Sequence, residues 1–213
     1  MHDVGIYENL ILGIHFLLLK KCKIFDEKTI VRCYTGRSMR INVRKHERRG
    51  YQSIKMSNIL EKQFLKQRND FEKSCVERDK KYHFPQGVIF ETDIAYAKDK
   101  NKAHRLDRYR PKGKEAQILP VIINVHGGGL LLGNKEFNKY FCALLSKKGF
   151  LVYSMEYRLI PVCTFFDQLR DIFLAMDFVK EHAAADGGDL SHVYLVGDLS
   201  LIHISEPTRR TPI

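Results

Sequence analysis

With 213 residues, 44% of them apolar and 29% charged, the chain has the composition of a globular domain with room for a sizeable core. Its net charge of +11 would suggest an acidic partner such as nucleic acid, but the excess is local. Residues 1–55 carry 12 basic and 5 acidic side chains, whereas residues 56–198 carry 22 and 19, which argues against a nucleic-acid partner.

The five cysteines (Cys22, Cys33, Cys75, Cys142, Cys163) are scattered, with no CxxC pair. They read as reduced thiols of a cytoplasmic protein rather than disulfide partners or metal ligands. Leu10 to Leu19 is mostly apolar but shorter than the ~20 residues a membrane span needs, so no membrane partner is expected. It also lacks the basic start and cleavage site of a signal peptide. Lys20 to Lys55 shows neither helical nor strand periodicity. Residues 1–55 are therefore expected to be a non-native extension, and Met56-Ser57-Asn58 looks like a fresh start.

From there the pattern becomes regular. Residues 56–84 form a helical segment: Ile59, Phe64, Phe71, Cys75 and Val76, set among charges, predict a helix from Ile59 to about Lys80, ended by Pro85 and Gly87. Residues 85–198 alternate strands and helices. Val88 to Ala97 and His104 to Arg110 predict a hairpin around a polar turn. Val121 to Val125 reads as a buried parallel strand, because it is short, β-branched and largely apolar on both faces.

It runs straight into His126-Gly127-Gly128-Gly129. Glycines without Cβ atoms let a backbone come close to another group, and free N–H groups on such a loop could hold a developing negative charge. Asn134 then reads as a helix N-cap, with Phe137, Tyr140, Phe141, Leu144 and Leu145 on one face and Gly149 as the stop. Phe150 to Tyr157 is the next strand. A second amphipathic helix carries Phe165, Leu169, Ile172, Phe173, Met176 and Val179, and His192 to Val196 is a further buried strand closed by Gly197-Asp198. Alternation of this kind after a hairpin predicts an α/β fold with a mostly parallel sheet and flanking helices.

His126-Gly127-Gly128-Gly129, Tyr157-Arg158-Leu159-Ile160-Pro161 and Asp189 with Val193 to Asp198, in this order, resemble the N-terminal part of an α/β-hydrolase fold. More narrowly they resemble the esterase/lipase family related to hormone-sensitive lipase and bacterial acetyl esterases, over about residues 82–198. Leu106-Asp107-Arg108-Tyr109-Arg110-Pro111 is similar to that family's second-strand segment. The resemblance implies a serine carboxylesterase of small acyl esters that needs no cofactor and no metal. Gly128 and Gly129 would be the oxyanion donors, with His126 and Gly127 supporting the loop.

In that family Gly-Asp continues into Ser-Ala-Gly, the nucleophile elbow. Gly197 and Asp198 fit its first two positions, but Leu199 stands where the serine should be. The run from Leu199 to Arg209 resembles a translated sequencing adapter, so residues 199–213 are expected to be an artefact and the chain truncated before the nucleophile. The catalytic serine, acid and histidine would then all be absent, and Ser200, His203 and Glu206 would be no triad, since triads are recognised by geometry. The alternatives are a peptidase or amidase on the same fold, or a non-catalytic binding protein that keeps the pocket. Tyr157 and Arg158 read as structural, the latter through a salt bridge or a backbone bond rather than substrate contact. Asp171 and Asp189 read as polar positions flanking helices and loops.

Overall fold

A computed structural model describes residues 58–197 and, before them, three short strands: β1 (Leu17–Leu18), β2 (Thr29–Arg32) and β3 (Ser38–Ile41). The elements that follow are α1 (Asn58–Asp79), β4 (Val88–Ala95), β5 (Arg105–Pro111) and β6 (Leu119–Val125). A 3-10 turn (Lys135–Asn138) then leads into α2 (Lys139–Lys147), β7 (Leu151–Met155), α3 (Phe165–His182) and β8 (Gly188–Gly197).

One six-stranded sheet has the order β1-β8-β6-β7-β5-β4. Parallel pairing is confined to its centre, where β6 lies between β7 and β8, with Val121 opposite both Leu151 and Val193. The expected hairpin of β4 and β5 is antiparallel, and β5 also runs antiparallel to β7, so the sheet is mixed. Helical crossovers α2 and α3 permit the parallel pairs and cover the two faces, which is why every residue of β7 can be buried.

The two faces make two cores. Val121, Ile123 and Val125 pack with Leu151, Tyr153 and Met155 against Ile172, Ala175, Met176 and Val179 of α3. Ile122 and Val152 point the other way, onto Cys142 and Ala143 of α2. The period of two along a strand and the helices' own periodicity meet here, and burial of this kind is the largest favourable contribution to folding.

Several helical faces differ from expectation. Cys142, Ala143 and Ser146 are the buried residues of α2, while Phe141 and Leu145 are only partly buried beside them. Small residues let the helix approach the sheet, and the large ones fill its margins. Asn134 caps the 3-10 turn rather than α2, accepting from Phe137 N at 3.0 Å. In α1 the half-buried stripe is Phe64, Arg68, Phe71, Cys75 and Arg78, whereas Ile59 and Val76 face solvent. Its arginines displace the apolar residues because they bond loop carbonyls: Arg78 donates to Phe137 O while lying over that residue's ring.

Two findings fall within residues 1–55, expected to be a non-native extension. Strands β2 and β3 form a separate antiparallel pair, each only four residues long, too short for alternation to stand out. Leu18 and Leu17 pair with Val196 and Gly197, so two positions on the outer edge of β8 are occupied.

Candidate active site

The carboxyl ends of β6, β7 and β8 lie together: Val125 is opposite Met155 on one side and Gly197 on the other. Gly197 therefore sits beside the residue that introduces His126. Asp198 and the residues after it are outside the described residues.

The loop after β6 closes on itself at once. Gly128 O accepts from Leu131 N at 3.2 Å and Leu132 N at 3.0 Å, and the two residues inside the turn, Gly129 and Leu130, both have positive φ (62° and 71°). A turn of this hand suits glycine at its first central position. Among the described residues, the N–H groups of Gly128 and Gly129 have no hydrogen-bond acceptor.

Gly128 has a further constraint. Its φ is +126°, and a Cβ there would stand 2.0 Å from Leu132 O, so any side chain must reshape the turn. Gly133, where the loop returns, is equally restricted, since a Cβ would meet Gly127 O at 2.4 Å and His126 Nδ1 at 2.7 Å.

Buried polar side chains hold the turn. His126 exposes no surface, and its ring stacks on Tyr157 with 4.3 Å between centroids. The Tyr157 hydroxyl donates to His126 O at 2.8 Å, which fixes the backbone just before the glycines. Glu156 takes His126 Nε2 at 2.9 Å and Tyr157 N at 3.2 Å on one oxygen, and Lys135 N at 3.0 Å on the other. Beyond the turn, Leu130 O accepts from Ile160 N at 3.1 Å and Gln168 Nε2 at 2.9 Å, which restrains a leucine in a conformation that costs about 1–2 kcal/mol for non-glycine residues. Gln168 Nε2 also donates to Arg158 O. From α1, Arg68 donates to Leu131 O and Ile160 O, clamping two loops together.

Two ion clusters stand behind these contacts. Arg158 makes the expected salt bridge, donating Nε to Asp171 at 2.8 Å and a terminal nitrogen at 2.6 Å. Asp171 is fully buried on α3, not simply a polar flanking position, and also accepts Arg158 N. His104 Nδ1 pairs with Asp99 at 2.7 Å, while its Nε2 lies 3.1 Å from Asp171 without hydrogen-bond geometry. Asp189 does behave as a local turn residue, bonded to Ser191 and His192.

The second cluster places buried Lys135 between Asp107 (2.9 Å), Asp93 (3.1 Å) and Glu136. Burial alone would lower the ammonium's pKa, but Glu136 and Asp107 raise it above its ordinary value. Burial raises Asp107, although the Asp93 N–H and Lys135 oppose the shift. Among the described residues, no group of three or more His, Cys, Asp or Glu side chains is arranged to hold a metal ion. No described helix is long and apolar enough to cross a membrane.

Of the residues singled out in the sequence, His126, Gly127, Gly128 and Gly129 form this loop and Gly197 adjoins it. Gly133, Lys135, Glu156 and Gln168 were missed. Glu156 directly precedes the Tyr157-Arg158 motif, so its position was the available signal. Nothing in a charged turn announces that Lys135 is buried.

A family model, BD-FAE, matches residues 106–206. Among curated proteins, isoprenylcysteine alpha-carbonyl methylesterase ICME of Arabidopsis thaliana is 30% identical over 102 residues, covering 48% of this chain and 24% of its own. The chain spans about a quarter of the length of the curated relatives it matches. Among solved structures, esterase B from Lactobacillus rhamnosis (HN001) superposes with a TM-score of 0.58 at 30% identity, covering 65% of this chain and 45% of that one. A bacterial heroin esterase gives 0.52 at 27% identity, covering 59% and 39%. This stretch of chain has part of an α/β-hydrolase fold, and the proteins it is similar to over that stretch are esterases.

Proposed function

We propose that the chain supplies the oxyanion-hole half of a serine ester hydrolase acting on small acyl esters, with Gly128 and Gly129 as the donors. The observation that carries this is the turn after β6. It leaves two adjacent N–H groups without acceptors at the carboxyl end of the central strand, beside the end of β8. Similarity to esterases over residues 106–206 supports the same chemistry.

In the complete site, a serine following Asp198 attacks the ester carbonyl while a histidine takes its proton. The tetrahedral oxyanion accepts from Gly128 N–H and Gly129 N–H, each donor lowering the barrier by about 3–4 kcal/mol. The alcohol leaves with the proton, and water hydrolyses the acyl-enzyme to the acid and free serine. His126 supports the loop and is not the general base, because its buried ring faces Glu156. No cofactor enters this scheme. Residues 199–213, and residues 1–55 other than the Leu17–Leu18 strand paired with β8, lie outside the working unit, and the reduced cysteines suit the cytoplasm.

The coding sequence that follows Asp198 in the source genome tests the proposal. We expect a serine codon at position 199, then a small residue and glycine. That reading frame should hydrolyse short acyl esters and react with a serine-directed phosphonate, whereas the chain with Leu199 should do neither. A genomic sequence that runs on without a nucleophile, and yields a protein with no hydrolytic activity, would make this a non-catalytic binding protein.

A further inference from the structure

Both ring nitrogens of His126 face oxygen atoms that can only accept. Nε2 is 2.9 Å from the Glu156 carboxylate and Nδ1 is 2.9 Å from Gly127 O. A neutral imidazole carries one proton, so either tautomer would set a lone pair against one of these oxygens. The ring cannot turn away. Tyr157 is stacked on one side at an interplanar angle of 14°, and Gly133 is so close to Nδ1 that a Cβ would stand 2.7 Å from it.

Among the described residues, no ammonium or guanidinium forms an ion pair with Glu156, although Arg68, Lys102 and the carboxylate of Glu72 line the same cavity. Lys135 directs its ammonium to Asp107, Asp93 and Glu136, and offers Glu156 only its backbone N–H. Arg158 is turned to Asp171, and Tyr157 presents its ring to His126 and its N–H to Glu156. His104 belongs to the Asp99 and Asp171 pair.

We propose that Glu156 holds His126 as a doubly protonated imidazolium and thereby fixes the oxyanion loop, acting as a positioning residue. The inference rests on the ester-hydrolase reading of the loop for its catalytic consequence, though not for the protonation state. A buried cation at the base of the turn orients Gly127 O and the peptides that follow it. It also adds a positive charge beside the place where the oxyanion develops. Glu156 touches neither substrate nor the reacting atoms; it works through His126.

The test is ring-nitrogen NMR of the 213-residue chain labelled with 15N-histidine, at pH 8, with Glu156→Gln beside it. Both nitrogens of His126 should carry protons in the unaltered chain. The amide variant keeps the carboxylate's shape but not its charge, so His126 should there carry a single proton. One protonated nitrogen in the unaltered chain, or no difference between the two proteins, overturns the assignment. In the reading frame that includes the nucleophile, Glu156→Gln should lower kcat at least about tenfold with KM within about twofold, and Glu156→Asp should restore part of the loss. An unchanged kcat would overturn the positioning role. Absence of ester hydrolysis in that frame, with the ring-nitrogen result intact, would instead count against the esterase reading alone.

Discussion

At the carboxyl ends of β6 and β7 one member of each ion cluster is sealed in: Asp171 and His126 expose none of their surface, and Lys135 exposes 4%, although partners such as Asp93 and Glu136 reach solvent. At the opposite end, Arg108 bridges Asp186 and Glu91, and Tyr153 donates to Asp186 at 2.6 Å, but the Arg108 and Glu91 side chains are 30% and 57% exposed. Arg110 there gathers the carbonyls of Lys114, Glu115, Gln117 and Asp186 around one guanidinium. Both ends use arginine and aspartate to tie turns to strands. At the first end, Asp171, His126 and Lys135 must find their partners inside the protein, because they are buried away from water that could replace a lost one. Polar groups that position a loop for chemistry are thus the costly ones to disturb, while similar contacts at the other end are backed by solvent.

The strongest way to break this contrast is Asp171→Ala. It strips Arg158 of its main partner and leaves His104 with Asp99 alone, and should cost about 3 kcal/mol in denaturant unfolding. That is the low end of the range for a broken buried pair, because the Arg158 side chain remains 26% exposed. A loss below about 1 kcal/mol would mean that the site end is no more sealed than the other.

Thr164→Ala sharpens the comparison through pH. Thr164 and Asp167 form a capping box on α3, with Asp167 accepting Thr164 N at 2.8 Å and its hydroxyl at 2.7 Å. Burial pushes the Asp167 carboxyl up, but the Thr164 bonds and Arg158 outweigh it and hold the group below its ordinary value. A depressed carboxyl contributes stability above its unfolded pKa, about 3.9, and loses it as pH falls through the folded value. Thr164→Ala should therefore cost about 1 kcal/mol at pH 7, and the gap between the two proteins should narrow below about pH 4. A gap that is constant with pH would remove Asp167 from the account.

The smallest effect belongs to the solvent-backed end. Glu91→Gln removes a 2.6 Å pair with Arg108 and should change stability by less than about 0.5 kcal/mol. A loss comparable to that of Asp171→Ala would abolish the distinction between the two ends.

The same contrast explains what could be read in the sequence. The strands and helices of residues 58–197 announce themselves through apolar periodicity, and the glycine run marks the turn because only a few sequences tolerate its geometry. Polar residues that face inward break that logic. Gln168 and Asp171 occupy the buried face of α3, where the apolar pattern put Phe165 and Leu169 instead. Arg68 and Arg78 replace Ile59 and Val76 on the covered side of α1. Their partners are backbone carbonyls of distant loops, 59 to 92 residues away in sequence, and no local period encodes such a contact. Gly133 was passed over for a related reason: its need is set by the close return of the chain to His126, visible only once the loop is folded.

The central claim is that Gly128 and Gly129 receive an oxyanion, and a structure of the nucleophile-containing reading frame trapped with a phosphonate on its serine tests it most directly. The phosphonyl oxygen should lie about 2.7–3.1 Å from both Gly128 N and Gly129 N, with the turn still closed by Gly128 O. A phosphonyl oxygen held by other donors, with both glycine N–H groups turned away from it, would contradict the account.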